Sequence, residues 1–330
     1  MNPFFYSIYG PFIERYIAYK RSLGFKYKDV ECSFRQFDKL AFSHNVNEIG
    51  ISKELAETWG KSKPGETDKT RSERICLLNG FSAYLIQLGH TCSYIMPLPK
   101  LTSTYTSYIF SRQQIATIFA ICDNLDVSGG HPESSLYSAP ALFRLLYGTG
   151  IRLGEALNLY CDDVDLQNNH LTLRNCKNGR DRIVPLSKSV TEVCRGYSRF
   201  RDTLPLAKSS PYFFVKPNGA PCSKDQSYAW FRTVLFRAGI PHGGKRLGPR
   251  LHDFRHTFSV HALASMAETG VDLYYSLPIL SKYLGHERLE STDKYVKLTA
   301  EMYPTIIAGA NKLCPYLFPD VLNLTADETD

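Results

Sequence analysis

The stretch LHDFRHTF (251–258), with YLGH (283–286) and ESTDKYVKL (290–298) after it, decides how this chain reads. His252 and Arg255 lie three apart, the spacing of one helix face, and Tyr295 follows His286 by nine positions (286 to 295). A second basic island sits upstream in GTGIRLGEAL (148–157), where Arg152 and Glu155 are again three apart. Between the islands, LTLRNCKNGRDRIVPL (171–186) alternates apolar and polar residues around a turn that carries Lys177. Each piece alone is ordinary. Together they gather two arginines, two histidines, a lysine and a tyrosine.

That combination suits attack of a tyrosine on a phosphodiester. A guanidinium is charged at any working pH and its fork matches two phosphate oxygens, so Arg152 and Arg255 can clamp the non-bridging oxygens as charge builds. The clamp takes the place of a metal ion, and no metal or other cofactor is expected. His252 and His256 lie four apart with His261 beyond, but Asp253 stands where H-E-x-x-H requires Glu, which argues against a zinc site. A phenol ionises near pH 10, so freeing it at pH 7 costs roughly 4 kcal/mol. His252 is the candidate acceptor of that proton, His286 a further hydrogen bond to the phosphate, and Lys177 the acid that protonates the leaving sugar oxygen.

Working outward, the region before these boxes reads as helices. Phe12, Ile13, Tyr16 and Ile17 keep helical spacing up to Gly24, and Val30, Phe34, Phe37, Leu40 and Ala41 form a second stripe. Ser52 caps a third helix through Trp59, and a fourth runs from about Lys69 to Leu88. Lys69, Arg71 and Arg74 fall on its first turns, off the apolar stripe, and are expected to contact phosphates. Residues 1–97 thus read as a small helical domain, 98–106 as a linker rich in Thr and Ser, 107–324 as a second domain that carries the boxes and 325–330 as an acidic tail.

Within the second domain, Ser111 and Gln114 predict a capping box, and the helix ALFRLLYGTG should stop at Gly148 or Gly150. VDL, HLTLRN and DRIVPL predict a three-stranded meander, to which PYFFVKPNG adds a short edge strand. Helices resume at about Lys224–Ala238, His252–Ala267, Leu277–Tyr283 and from Ser291, with Pro278 as a break. Arg180 and Arg182 beside the hairpin turn fit phosphate contacts. The class is mainly α with a small antiparallel β-sheet, in two domains.

Composition agrees with a globular protein that meets a polyanion without requiring one: 330 residues, 43% hydrophobic, 22% charged, formal charge +7. Nine cysteines lack any C-x-x-C pair, which suggests reduced thiols rather than disulfides or Cys-type zinc. Neither a signal peptide nor a membrane span is evident, so a cytoplasmic protein is expected.

The boxes resemble those of the tyrosine recombinases, also called the phage integrase family. GTGIRLGEALNL resembles that family's first arginine box, LHDFRHTF its His-x-x-Arg box, LGHERLESTDKYVKL its Leu-Gly-His segment with the nucleophilic tyrosine, and KNGRDRIVPL its lysine hairpin. The resemblance covers about residues 106–300; the N-terminal helices resemble the family's SAM-like core-binding domain only in size and helical content. It implies a clamp of two domains around double-stranded DNA and a site-specific recombinase or integrase working through a 3'-phosphotyrosine. It assigns Arg152 and Arg255 to the scissile phosphate, Lys177 to the leaving group, His252 and His286 to support, Tyr295 to the covalent link and Glu155 to orientation of its neighbours. A homo-oligomer, a tetramer on paired sites, is the implied partner, with the apolar segment 300–322 docking on a neighbouring protomer or on its own domain. The rival readings are a type IB topoisomerase and a non-catalytic DNA-binding regulator. GVDLYYSLPILSKYLGH departs from the family pattern by about four extra residues before His286.

Overall fold

The computed structural model describes residues 5–27, 30–90, 92–100, 107–125, 134–174, 176, 179, 181–244, 247–286 and 289–302. Lys177, Arg180, most of the linker, the segment beyond 302 and the acidic tail therefore lie outside the described residues. The chain divides into two compact units, Met1–Tyr105 and Thr106–Asp330.

The first unit is helical: α1 Gly10–Ser22, α2 Val30–Ser43, α3 Lys53–Gly60 and α4 Asp68–Gln87. Ser52 and Thr67 cap α3 and α4 by accepting the amides of Leu55 and Thr70, which sets each start. The apolar stripes meet around Phe81, fully buried, whose ring centroid lies 5.5 Å from those of Tyr16 and Phe34 and 6.2 Å from Tyr9. Edge-to-face packing of this kind favours a fixed core over a fluid one.

One expectation for α4 is corrected here. Arg74 is 8% exposed, and its guanidinium pairs with Glu66 at 2.8 Å, donates to the Lys61 carbonyl at 2.9 Å and lies over the Trp59 ring. It ties the loop before α4 to α3 and cannot reach a phosphate without leaving a carboxylate unpaired. Arg71 is half-buried and donates its Nε to the Gly60 carbonyl at 2.7 Å. Lys69 stays exposed.

The second unit runs α5 Arg112–Asp123, α6 Ala139–Thr149, α7 Leu153–Leu157, β1 Val164–Asp165, β2 His170–Leu173, β3 Arg182–Pro185, α8 Lys188–Asp202, α9 Pro205–Lys208, α10 Lys224–Arg237, α11 Asp253–Glu268, α12 Leu273–Leu284 and α13 Glu290–Met302. Both halves of the Ser111/Gln114 capping box are present, and α6 ends on Gly150 in the left-handed region. The strands form an antiparallel sheet in the order β1-β2-β3, with Leu171 opposite Val184 and Leu173 opposite Arg182. PYFFVKPNG adds no strand to that sheet: Tyr212 makes one isolated bridge to Tyr160, and Val215 another to Pro221 within its own turn.

Helix α8 was not expected. Ser187 caps it through the Val190 amide, and Val190, Cys194, Tyr197 and Arg201 are buried at steps of three and four. The core lies between α5, α6, α10 and α11, where Phe254 packs against Phe110, Phe143 and Phe231 at 5.3–5.9 Å. Pro278 does not break its segment. Helix α12 continues through it, held by Leu280 and Leu284 against Val260 and Leu263 of α11, and the chain turns instead at Gly285, with φ +67°. Among the described residues, no helix is long and apolar enough to cross a membrane.

Candidate active site

Helix α11 builds the site by alternation around its axis. Phe254 is drawn into the core, which leaves Arg255 and His256 to face α12 and α13. Arg255 is 2% exposed and donates to the Gly150 carbonyl at 2.7 Å and the Leu284 carbonyl at 2.9 Å. Its Nη2 also lies 3.0 Å from Nε2 of His286. A guanidinium only donates, so Nε2 of His286 accepts, and its Nδ1 carries the hydrogen given to Thr292 Oγ1 at 2.8 Å. Burial, and next the Arg255 charge, push His286 down to about 4, so it is neutral at working pH. Burial and Arg152 lower Arg255 itself to about 10, which leaves it charged.

Arg152 enters at the N-terminal end of α7. Its amide and guanidinium both donate to Glu155, at 2.9 and 2.7 Å. The other side of that carboxylate is taken by Arg182, whose Nη2 lies 2.8 Å from Oε2. Burial alone would raise Glu155, but the Arg182 and Arg152 hydrogen bonds outweigh it and hold the carboxyl below its usual range. Arg182 is therefore not free for DNA, contrary to expectation. The period of two explains why: Arg182 lies on the same face of β3 as buried Val184, while Ile183 between them is 68% exposed. Beside this network opens a groove of about 630 Å³ lined by Arg152, Arg174, Lys224, Tyr160 and Tyr212.

Tyr295 is 1% exposed and hydrogen-bonds Nδ1 of His256 at 2.9 Å. The His286 ring stacks alongside at 6.3 Å, and Lys294 Nζ lies 5.1 Å above the phenol ring. Burial raises the Tyr295 pKa, while the Arg255 charge and contacts from Ser259 and Arg255 work in the opposite direction. Tyr283, the other tyrosine near His286, stacks on Phe258 and burial pushes it up to about 12.

The residues expected from the sequence thus come together in Arg152, Glu155, Arg255, His286 and Tyr295. His252 is close but does not hold the phenol: it is exposed at the start of α11 and meets His256 edge-to-face at 4.8 Å. Desolvation, then Arg255 and Arg250, push His252 down to about 4. The residue that the sequence reading missed as a partner of Tyr295 is His256. The sequence carried little signal for it, since a residue directly after Arg255 is turned about 100° away on the helix and its partner lies on another element.

The phage integrase family model matches residues 109–302, which include every described member of this cluster. Relatives along the chain include y4rB of Sinorhizobium fredii, assigned as an integrase/recombinase, 29% identical over 300 residues and covering 90% of this chain and 95% of that one. The tyrosine recombinase XerA of Pyrococcus horikoshii is 32% identical over 224 residues, 64% of this chain and 67% of its own. In fold, the chain matches the XerH site-specific recombinase in its post-cleavage complex with difH, with TM-score 0.61, 19% identity, and coverage of 85% and 77%. With two arginines, a neutral histidine and a buried tyrosine drawn together inside the matched region, the chain belongs to the phage integrase family of tyrosine recombinases.

Proposed function

We propose that this tyrosine recombinase cuts one strand of duplex DNA by attack of Tyr295 on a phosphodiester, holds the end as a 3'-phosphotyrosine and rejoins it to a new partner. The observation that carries the reading is the convergence of Arg255 and His286, hydrogen-bonded to each other, on the Tyr295 phenol. Arg152 and Arg255 hold the non-bridging oxygens and offset the charge of the pentacoordinate phosphorus. Ionising a phenol at pH 7 costs roughly 4 kcal/mol even in water, and the same two guanidiniums lower that cost as the phosphate enters. His286, neutral and already oriented by Thr292, keeps the Arg255 fork in place. His252, at the exposed end of α11, supports the phosphate and is the acceptor through which the proton lost by the phenol, as the O–P bond forms, passes to solvent.

The leaving 5' oxygen needs a proton, and Lys177 at the hairpin turn supplies it. Lys69 and Arg71 add phosphate contacts from the first unit, and Arg180 from the hairpin. Exchange between two duplexes cuts four strands, each requiring its own tyrosine, so the acting form is a homo-tetramer on paired sites.

The test uses the full chain and a pool of random-sequence duplexes, with excess chelator present. Denaturation should leave DNA covalently attached, and sequencing it gives the target. Tyr295→Phe should bind the recovered duplex and form no adduct. Adducts that persist in Tyr295→Phe would remove Tyr295 as the nucleophile.

A further inference from the structure

His256 has no part in the clamp, yet its Nδ1 lies in hydrogen-bond contact with the phenol oxygen, 2.9 Å away. Both partners are buried, His256 at 4% and Tyr295 at 1% exposure. They come from different helices and are 39 positions apart, so the contact fixes how α13 presents Tyr295 against α11. The tyrosine ring itself is confined by His286 on one side and by Lys294 over its face. A ring so confined has its plane set; what remains free is the direction of the O–H bond. That direction decides whether an oxygen lone pair or a hydrogen faces an incoming phosphorus.

Taking Tyr295 as the nucleophile, we propose that His256 is its positioning residue: a neutral imidazole that accepts the phenol hydrogen at Nδ1 and so turns the oxygen lone pairs toward the phosphate held by Arg152 and Arg255.

The surroundings select the neutral form. Burial is the largest influence on His256, followed by the charges of Lys294 and the neighbouring His252, Arg250 and Arg255, and together they push it down to about 2. An imidazolium there would donate rather than accept, and would meet the phenol with a hydrogen on both sides. His256 is also no general base, since burial raises the phenol it faces above its usual 10 while the imidazole is pushed down. His256 therefore orders the hydrogen without taking it. His252, edge-to-face with the imidazole at 4.8 Å, limits rotation of the His256 ring.

Three full-length variants test this on the duplex recovered from the random pool: His256→Ala, His256→Asn, whose amide oxygen can take the place of Nδ1, and Tyr295→Phe. With saturating duplex, His256→Ala should attach DNA roughly tenfold to hundredfold more slowly, the range for a lost buried hydrogen bond, at unchanged half-saturation. His256→Asn should recover most of that loss. In nitrogen-15 spectra of histidine-labelled protein, the His256 Nδ1 signal should shift to that of a free lone pair when Tyr295 becomes Phe. This measurement needs only wild-type and Tyr295→Phe protein, so it decides the matter even if His256→Ala fails to fold. Wild-type attachment rates in His256→Ala, or a His256 nitrogen signal indifferent to Tyr295→Phe, would overturn the proposal alone. Adducts formed by Tyr295→Phe would overturn it together with the assignment of the nucleophile.

Discussion

Nη1 of Arg255 donates to the carbonyl oxygen of Gly150 at 2.7 Å, joining positions 105 apart in the chain. Gly150 is the left-handed residue that ends α6, two positions before Arg152. A Cβ there would fall 2.4 Å from the Phe258 ring. The two arginine boxes are thus set relative to each other by one backbone carbonyl that only glycine presents in this way.

Arg255→Lys keeps a charge but cannot span Gly150, Leu284 and His286 together. The rate of covalent attachment should fall about 10²–10³-fold, as when a transition-state donor is lost. Duplex affinity should change only a few-fold. Single-turnover adduct formation checks it, and a rate near wild type would show that charge alone suffices.

Glu155→Gln and Arg182→Met should each slow attachment by roughly tenfold, since each loosens Arg152 through the shared carboxylate. Because they act through one network, the double variant should be little worse than either single one. Fully multiplicative losses in a double-mutant cycle would mean that Arg182 acts on DNA directly.

Arg74→Ala leaves the Glu66 carboxylate buried without its partner and should destabilise the first unit by roughly 3–5 kcal/mol. Lys69→Ala should leave stability alone and lower the salt dependence of duplex binding by about one counterion. Denaturant titration and affinity against salt separate the two. A stable Arg74→Ala protein with weakened DNA binding would return Arg74 to the phosphate contacts.

The neutral histidines make the second unit acid-sensitive. His286 titrates at about 4 and His256 at about 2 in the fold, against about 6.5 when unfolded. Below pH 6.5 the unfolded chain binds more protons, so stability is complete above that value and declines as the pH falls toward 4. The melting temperature should drop by roughly 5–10 °C between pH 7.5 and 5. Bound duplex should reduce the drop, because a phosphate favours the charged imidazoles. An unchanged melting temperature over that interval would mean these histidines are solvated.

Much of this was legible in the sequence because it rests on local periodicity. The stripe through Phe34 and Phe37, the Ser111 capping box, the hairpin strands and the spacing from His286 to Tyr295 are all patterns within one element or box. What escaped depends on which neighbour a residue meets. Arg74 and Arg182 carry charges typical of a DNA-facing surface, yet Glu66 and Glu155 draw both inward. For Arg182, strand alternation with Val184 already indicated the face. His256 was eclipsed by the His-x-x-Arg pattern, and its partner lies on another helix. Pro278 obeys no local rule here: packing of Leu280 and Leu284 holds α12 together although an interior proline costs about 3 kcal/mol.

Gly285 is the turn at which α12 gives way to His286, and the Arg182 guanidinium lies 3.0 Å from where a Cβ would stand. A side chain at 285 would press the Arg182 guanidinium by a few tenths of an ångström, a shift passed through the shared Glu155 carboxylate to Arg152. An alanine there would touch neither the tyrosine nor a phosphate, yet its damage would be felt in the opposite arginine box. In a random-mutagenesis screen for lost recombination, position 285 would score with the catalytic residues while binding and expression stayed intact, a silent hinge pin.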